Sequence, residues 1–287
     1  MSLQQTDSTV PPKTAPLKKR NTNWHEAAVC AVQIDLQEYA HLLQFLSEYI
    51  LGKNNYRIDM LIVKKLSTEI IPKNIAYIFK TYNLFEIKGI GSCISTDSYY
   101  KTIGYAGLFI NQTGKRNQYT ALDISLSFLS LHYPKRLMKH LQKDRKITVE
   151  KFSNGVYHII NETFNIQIIV TKELCPEENL YLHCLTDHLD NARLIKRLVD
   201  DYQHHQEQDI YIRYMNQLTN ANSNTKGRSP MFEEMMERAR KEAETYYLDK
   251  IEQLSSSNEQ LSSCNEQLVS QIDYLKNLLN QHNIQFE

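Results

Sequence analysis

The sequence predicts an α/β fold, because segments with helical spacing alternate with short apolar runs rich in β-favouring residues. A helical pattern at residues 24–51 precedes two such runs, at 57–63 and 84–88. A second helical pattern at 96–111 precedes a further apolar run at 121–131. Helices that alternate with apolar strands predict a sheet with helices packed on its faces.

The first helical pattern has both a start and a stop signal. Asn21, Thr22 and Asn23 are N-cap candidates, and Gly52 fits a C-terminal stop. The run at 57–63 is short and β-favouring, so we predict a buried strand. Residues 75–82 fit either a short helix or a strand. The run at 84–88 is predicted as a strand that ends before Gly89 and Gly91.

The middle of the chain is predicted to form short strands followed by helices. Asn154 and Gly155 have the composition of a two-residue hairpin turn. The predicted elements are, in chain order, a basic helix at 134–142, strands at 147–151, 156–160 and 165–170, and helices at 177–202 and 209–220.

Composition divides the chain into four parts. Residues 1–22 are polar and proline-containing, which predicts a disordered tail, and Lys18, Lys19 and Arg20 there are either solvated or contact nucleic-acid phosphate. Residues 23–220 are predicted to form the globular domain with a helical extension. The sequence ANSNTKGRSP at 221–230 is typical of a linker, and residues 231–287 are predicted to form a coiled coil.

The coiled-coil prediction comes from a heptad repeat. The a positions are Ile251, Asn258, Asn265, Ile272 and Leu279, and the d positions are Leu254, Leu261, Leu268 and Leu275. Asn at two successive a positions specifies register and favours a parallel pair, so we predict a parallel homodimer through residues 251–279. A single helix packed on the domain is the alternative.

The bulk composition limits the class of protein. Lys and Arg together number 33, as do Asp and Glu, so the formal net charge is zero. The five cysteines are scattered without a C-x-x-C motif, which favours reduced thiols in the cytoplasm over a disulfide framework or a zinc site. The N-terminal sequence lacks the apolar core of a signal peptide, and no apolar run is long enough to span a membrane.

Two acidic motifs carry the functional prediction. Asp59 lies inside the apolar run YRIDMLIV, and Glu86 and Lys88 form an E-x-K tripeptide at the end of NLFEIK. Strand alternation places Glu86 and Lys88 on the same face. A charge inside an apolar strand normally has a charged partner or a metal ion. A salt bridge from either carboxylate to Lys88 or Arg57 is the structural alternative.

If the two strands are neighbours, Asp59 and Glu86 can share one Mg²⁺ or Mn²⁺ ion, which prefers a few carboxylates together with water. Lys88 would orient the attacking water or neutralise developing charge. The backbone carbonyl of Ile87 and the carboxylate of Glu26, in the first turn of the first helix, are candidate further ligands. Phosphodiester hydrolysis needs this combination of neutralised phosphate and activated water.

Basic and aromatic residues near these motifs are candidate contacts to DNA. Tyr100 and Lys101 lie on the helix that follows the E-x-K strand. Lys135, Arg136 and Lys139 lie in the basic helix at 134–142. Such side chains can bind backbone phosphates. Amphipathic packing and a solvated helix face are the alternative interpretations.

These residues resemble the PD-(D/E)XK nuclease superfamily, with Asp59 as the motif Asp and Glu86-x-Lys88 as the (D/E)-x-K. Residues 23–171 are also similar to a branch from gut Firmicutes described as PD-(D/E)XK nuclease family transposases or recombination-promoting nuclease-like proteins. The segments that carry this similarity are NTNWHEA, RIDMLIV, IFKTYNLFEIKG, DSYYKTIGYAGLF, HYPKRLMKHL and FNIQIIVTKEL.

The resemblance implies a restriction-endonuclease-like core, with a mixed four-stranded sheet flanked by helices and Mg²⁺ at its acidic edge. It also implies that Glu26 is the helix-borne acid. The chain departs from the pattern at Ile58, where the superfamily name has Pro, and at Gly89-Ile90, where relatives commonly have Ser-Pro. The expected function is Mg²⁺-dependent cleavage of DNA in recombination or transposition. A catalytically inactive nuclease fold that binds DNA or protein is the alternative.

Overall fold

The computed structural model describes residues 23–51, 56–65, 69–111, 118–222 and 230–281. The predicted disordered tail at 1–22 lies outside these ranges, and so does most of the predicted linker at 221–230. The described residues form a seven-stranded mixed sheet with helices on both faces, which confirms the α/β class.

The elements alternate along the chain as follows. The helices are α1 (Trp24–Asp35), α2 (Thr96–Asn111), α3 (Lys135–Lys139), α4 (Leu180–His183), α5 (Ala192–Gln203), α6 (Asp209–Asn222) and α7 (Pro230–Gln281). The strands are β1 (Leu43–Leu51), β2 (Tyr56–Lys64), β3 (Tyr82–Ile87), β4 (Ile124–Ser130), β5 (Thr148–Ser153), β6 (Val156–Ile160) and β7 (Asn165–Val170).

The strand order is β1-β2-β3-β4-β7-β6-β5. Strands β1, β2 and β3 pair antiparallel, β3, β4 and β7 pair parallel, and β7, β6 and β5 pair antiparallel. The sheet is therefore wider than the predicted four strands, because the hairpin β5–β6 and strand β7 extend it beyond β4.

The prediction of one helix over residues 24–51 is wrong beyond Asp35. The side chain of Asn23 accepts a hydrogen bond from the Glu26 N–H and caps α1 as predicted, but α1 ends at Asp35. The later residues form β1, which pairs with β2 from Leu43 opposite Lys64 to Leu51 opposite Tyr56. Helical spacing of apolar residues was overridden there by pairing with a neighbouring strand.

Other predicted boundaries also changed. The ambiguous stretch at 75–82 contains a 3₁₀ turn, Asn74–Ala76, and the first residue of β3. The predicted helix at 177–202 is wrong as one element, since it is divided into α4 and α5. The basic helix is a short α3 followed by a π-helical turn, His140–Asp144.

The predicted hairpin turn at Asn154-Gly155 is confirmed between β5 and β6, where Ser153 pairs with Val156. Gly155 has φ +74°, a left-handed conformation that glycine adopts without steric cost. A Cβ atom on Gly155 would lie 2.7 Å from the Val170 carbonyl oxygen, so only glycine fits at this position.

Two apolar layers cover the two faces of the sheet. Helices α1, α4, α5 and α6 pack on one face, and α2 and α3 pack on the other. Asp35, at the C-terminus of α1, is half-buried and accepts hydrogen bonds from the Tyr181 and Leu182 N–H groups of α4 at 3.2 and 2.9 Å. Burial raises the pKa of Asp35 to about 7.

The first helix is also held by the last helix of the same layer. The Asn23 N–H donates to Gln217 Oε1 of α6 at 2.9 Å, and Gln217 Nε2 donates to Glu26 Oε2 at 2.9 Å. The first residues of the described chain are thus joined to α6 by hydrogen bonds.

Helix α7 follows α6 and is 52 residues long. Its first part contacts α5 and α6, and Lys250 Nζ lies 3.5 Å from Asp209 Oδ1. Its side chains from Leu248 to Asn277 are exposed. Within the described ranges, no helix combines the length and apolarity needed to cross a membrane.

Candidate active site

The two predicted acidic residues are neighbours across β2 and β3. The ladder between β2 and β3 ends at the pair Met60–Phe85, and Asp59 and Glu86 lie one step beyond it on their strands. Their side chains contact different helices: Asp59 contacts His25 of α1, and Glu86 contacts Lys101 of α2. The Ile87 N–H donates a hydrogen bond to Asp59 Oδ2 at 2.6 Å. Asp59 is therefore fixed to the end of the E-x-K strand.

Glu86 is almost completely buried, with 2 % of its surface exposed. Its Oε1 atom accepts hydrogen bonds from Lys88 Nζ at 2.7 Å and from Lys101 Nζ at 2.9 Å. The Thr102 hydroxyl, also on α2, donates to Oε2 at 3.4 Å. Two ammonium groups thus neutralise one buried carboxylate.

Lys101 was predicted as a DNA contact, but the structure places it on Glu86. Burial alone would lower the pKa of Lys101, while its hydrogen bond to Glu86 and the charges of Glu86 and Asp59 raise it. The net direction is upward, so Lys101 stays protonated beside the carboxylates. Helix α2 contributes this second lysine because it packs on the sheet face on which Glu86 lies.

Asp59 has a partner that the sequence did not single out. His25 Nε2 of α1 lies 3.4 Å from Asp59 Oδ1. Burial would raise the pKa of Asp59, but the hydrogen bonds from His25 and from the Ile87 N–H outweigh it and lower the pKa. The same hydrogen bond raises the pKa of His25 against the opposing effect of burial, and the charges of Glu48 and Glu86 add to the rise.

The structure directs Glu26, the predicted helix-borne acid, away from Asp59 and towards α6. Its Oε1 atom lies 3.7 Å from Arg213 Nη1, and its Oε2 atom accepts from Gln217 Nε2. Consecutive helical residues point about 100° apart, so His25 and Glu26 contact different neighbours. His25, rather than Glu26, is the α1 side chain beside Asp59. The sequence offered one indication of this role, since His25 directly precedes Glu26 in the segment NTNWHEA.

Gly89 explains how α1 comes close to the site. A Cβ atom at Gly89 would lie 3.2 Å from Trp24 Cβ, which is tighter than nine in ten such contacts in proteins. Glycine therefore lets the first turn of α1 approach the end of β3. Trp24 precedes His25, so this close approach positions the imidazole next to Asp59.

A third carboxylate lies at the same level of the sheet. In β1 the pairs Ser47–Met60 and Tyr49–Ile58 place Glu48 opposite Asp59. Glu48 has φ +50°, an uncommon conformation for a residue other than glycine. Its carboxylate lies 3.3 Å from Arg57 Nη1 and is well exposed. The sequence missed it because residues 43–51 were predicted as helix.

The side chains of the site that could bind a metal ion are carboxylates. Across the described part of the chain, no group of three or more His, Cys, Asp or Glu side chains is arranged to hold a metal ion. Asp59 and Glu86 supply two carboxylates on neighbouring strands. Mg²⁺ is commonly held by one or two carboxylates and keeps several waters, so a magnesium site does not require a group of three such side chains.

The other predicted DNA contacts lie on α2 and α3. The Tyr100 hydroxyl accepts a hydrogen bond from Arg145 Nη1 at 2.6 Å and lies 2.9 Å from His140 Nε2. Lys135 and Arg136 line a cleft of about 580 Å³ between the start of α2 and the start of α3. The cleft is lined by Cys93, Ile94, Ser95, Thr96, Asp97, Tyr133, Pro134, Lys135 and Arg136. Lys139 is exposed on α3.

Comparison of the chain with models of protein families, with curated proteins and with solved structures gave no match. The functional conclusion therefore depends on the residues and their geometry.

Proposed function

We propose that this protein is a Mg²⁺-dependent nuclease of the PD-(D/E)XK type that hydrolyses phosphodiester bonds in DNA, in recombination or transposition. One observation carries the proposal. Asp59 and Glu86 lie one step beyond the last pair of β2 and β3, Asp59 accepts the N–H of Ile87, and Lys88 Nζ lies 2.7 Å from Glu86. These contacts at the end of the β2–β3 ladder support a shared site for the three residues of the sequence motif.

The topology around the cluster supports the proposal. Helix α1, strands β1, β2 and β3, helix α2 and strand β4 follow in chain order, and the four strands are adjacent in the sheet. The first three pair antiparallel and the last pair is parallel. This agrees with the mixed four-stranded core flanked by helices that the resemblance implies, with β5, β6 and β7 added at one side.

The protein side chains have separable roles in the proposed reaction. Asp59, Glu86 and the backbone carbonyl of Ile87 would hold the cation. A bound Mg²⁺ supplies charge neutralisation at the phosphate and lowers the pKa of a bound water. Lys88, which is partly exposed, would donate a hydrogen bond to the attacking water or to a phosphate oxygen. His25 and Lys101 keep the two carboxylates in position.

Contacts to the DNA backbone are proposed for the basic residues beside the cleft at the starts of α2 and α3. Lys135 and Arg136 line this cleft, and Lys139 follows one helical turn later. Their positive charges can bind phosphates without reading the base sequence. Tyr100 is held by Arg145 and His140, so its exposed ring is fixed on the same surface.

A non-catalytic binding module is the second candidate, and one observation favours it. Glu86 is buried and already neutralised by two lysines, which is the pattern of a structural ion cluster. In that case the nuclease-like domain would bind DNA or protein without cleaving it. The two candidates differ in whether the carboxylates bind a divalent cation.

Cleavage of supercoiled plasmid, linear duplex DNA and RNA by the full-length protein tests the proposal. With Mg²⁺ or Mn²⁺ we expect DNA cleavage that EDTA abolishes and that Asp59→Asn and Lys88→Met reduce by about 100-fold or more. Lys172→Met, at an exposed lysine without a proposed role, is the matched control and should cleave like wild type.

Calorimetric titration with Mn²⁺ gives a readout that does not depend on turnover. The nuclease proposal expects binding to wild type and weaker binding to Asp59→Asn. Intact nucleic acid in every reaction, together with equal Mn²⁺ titrations for wild type and Asp59→Asn, would overturn it. Retarded migration of uncleaved DNA under those conditions would support the binding module.

A further inference from the structure

Helix α7 presents an apolar stripe that its own domain does not cover. The d-position residues Leu254, Leu261, Leu268 and Leu275 and the a-position residues Ile251 and Ile272 are 49–63 % exposed. They recur at heptad spacing, so they lie along one side of the helix. Aligned exposure of this kind marks an interaction surface rather than scattered surface residues.

We propose that a second copy of this chain covers the stripe, in a parallel and in-register coiled coil through residues 251–279. The two polar a positions set the orientation. In a parallel pair Asn258 faces Asn258 of the second copy, and Asn265 faces its own counterpart, so each amide can donate to and accept from the other. In an antiparallel pair each Asn would face a leucine and lose that partner.

The charge pattern argues for an identical partner. The acidic residues occupy b positions, away from the seam, and are Glu252, Glu259, Glu266 and Asp273. The e and g positions that flank the seam are uncharged from Ser255 to Gln271. Coiled coils that select a different chain use complementary charges at e and g. Here two identical chains meet no like-charge pair, and a foreign chain finds no charge to recognise.

The proposal is independent of whether the acidic site cleaves DNA. It does have a consequence for that site, because dimerisation through α7 joins two globular domains. Two sites on one particle can act on both strands of a duplex.

Light scattering after size exclusion of the full-length protein tests the stoichiometry. We expect twice the mass of the 33.7 kDa chain. Leu261→Asp combined with Leu268→Asp places two charges in the seam and should give the monomer mass. The matched control is Ser256→Asp with Ser263→Asp at f positions, which adds the same charges outside the seam and should remain dimeric. A monomeric wild type, or equal masses for the seam and control variants, would overturn the proposal.

Disulfide trapping tests the orientation. In a background with Cys93→Ser and Cys264→Ser, Leu261→Cys should form a cross-linked dimer under oxidised glutathione, because d positions face each other only in a parallel, in-register pair. Leu261→Cys should cross-link far more than the background and far more than Ser263→Cys at an f position. Cross-linking of Leu261→Cys no greater than that of Ser263→Cys, in a protein with the dimer mass, would overturn the parallel register.

Discussion

His25 Nε2 lies 3.4 Å from Asp59 Oδ1, while the other oxygen of Asp59 accepts the Ile87 N–H at 2.6 Å. The carboxylate is thus held from α1 on one side and from β3 on the other. This two-sided arrangement connects the stability of the fold with the protonation state of the candidate site.

The His25–Asp59 pair should stabilise the fold within a defined pH window. Because the pKa of His25 is raised, its contribution to the free energy of unfolding is complete below pH 6.5. That contribution is lost as the pH rises through the pKa of the folded state. Because the pKa of Asp59 is lowered, its contribution to the free energy of unfolding is present above pH 3.8. That contribution is lost as the pH falls through the pKa of the folded state. We expect His25→Gln to lower the free energy of unfolding by roughly 1 kcal/mol within this window.

Urea unfolding in the middle of that window and well above its upper limit measures the effect. The loss in His25→Gln should shrink at the higher pH. His41→Gln, at an exposed histidine, is the matched control for the substitution itself. A loss of equal size at both pH values would mean that His25 acts by packing alone.

Lys101 should stabilise the fold through Glu86. Lys101→Met removes one of the two ammonium groups on a buried carboxylate, and we expect a loss of roughly 1 kcal/mol, since the lysine itself is partly exposed. In a Glu86→Gln background the same substitution should be nearly neutral. A double-mutant cycle from denaturant unfolding measures the coupling. Additive effects of the two substitutions would contradict the ion pair.

Two glycine substitutions should change stability in opposite directions. Gly89→Ala forces its Cβ atom against Trp24, so we expect a loss of about 1 kcal/mol and a smaller elevation of the His25 pKa. Gly104→Ala, on the exposed side of α2 with open space around its Cβ atom, should stabilise the fold by about 0.5–1 kcal/mol. Thermal unfolding and NMR titration of His25 report both effects. A Gly89→Ala variant with unchanged stability and an unchanged His25 pKa would contradict the role of the Trp24 contact.

Asp35 should make the fold less stable as the pH rises from 3.8 towards 7. Its folded pKa of about 7 exceeds the ordinary value of 3.8, so the folded chain binds an extra proton in this range and loses stability as that proton is removed. Asp35→Asn keeps one acceptor for the α4 N–H groups and removes the titration. The difference in unfolding free energy between the two proteins, measured across this range, should favour Asp35→Asn increasingly at higher pH. A constant difference would contradict the assignment.

The strands around the site could be predicted from the sequence because a short apolar, β-favouring run can be recognised without knowledge of tertiary contacts. The run at 57–63 and the E-x-K strand are apolar segments with two charged residues near one end, and they became β2 and β3. Strands β2 and β3 are neighbours in the sheet, as the site prediction requires, and their last pair, Met60–Phe85, lies one step from Asp59 and Glu86.

The parts that the sequence missed depend on tertiary contacts. Strand β1 was predicted as helix because its apolar spacing suits both structures, and only pairing with β2 decides between them. Nothing in the local sequence distinguishes His25 from other helix residues. Its place beside Asp59 depends on the close contact between Trp24 and Gly89, which brings α1 next to β3. Lys101 was visible as a basic residue, but its contact with Glu86 depends on how α2 lies across the sheet.

The hydrogen bonds between α1 and α6 also determine when the domain can close during translation. Asn23 and its partner Gln217 are separated by 194 positions in the chain. At about 5–20 residues per second, a ribosome needs roughly 10–40 s to make the intervening segment. The apolar side of α1 therefore cannot pack against α6 until most of the domain has been synthesised. A premature stop before α6 would leave α1 without the helix to which these hydrogen bonds join it.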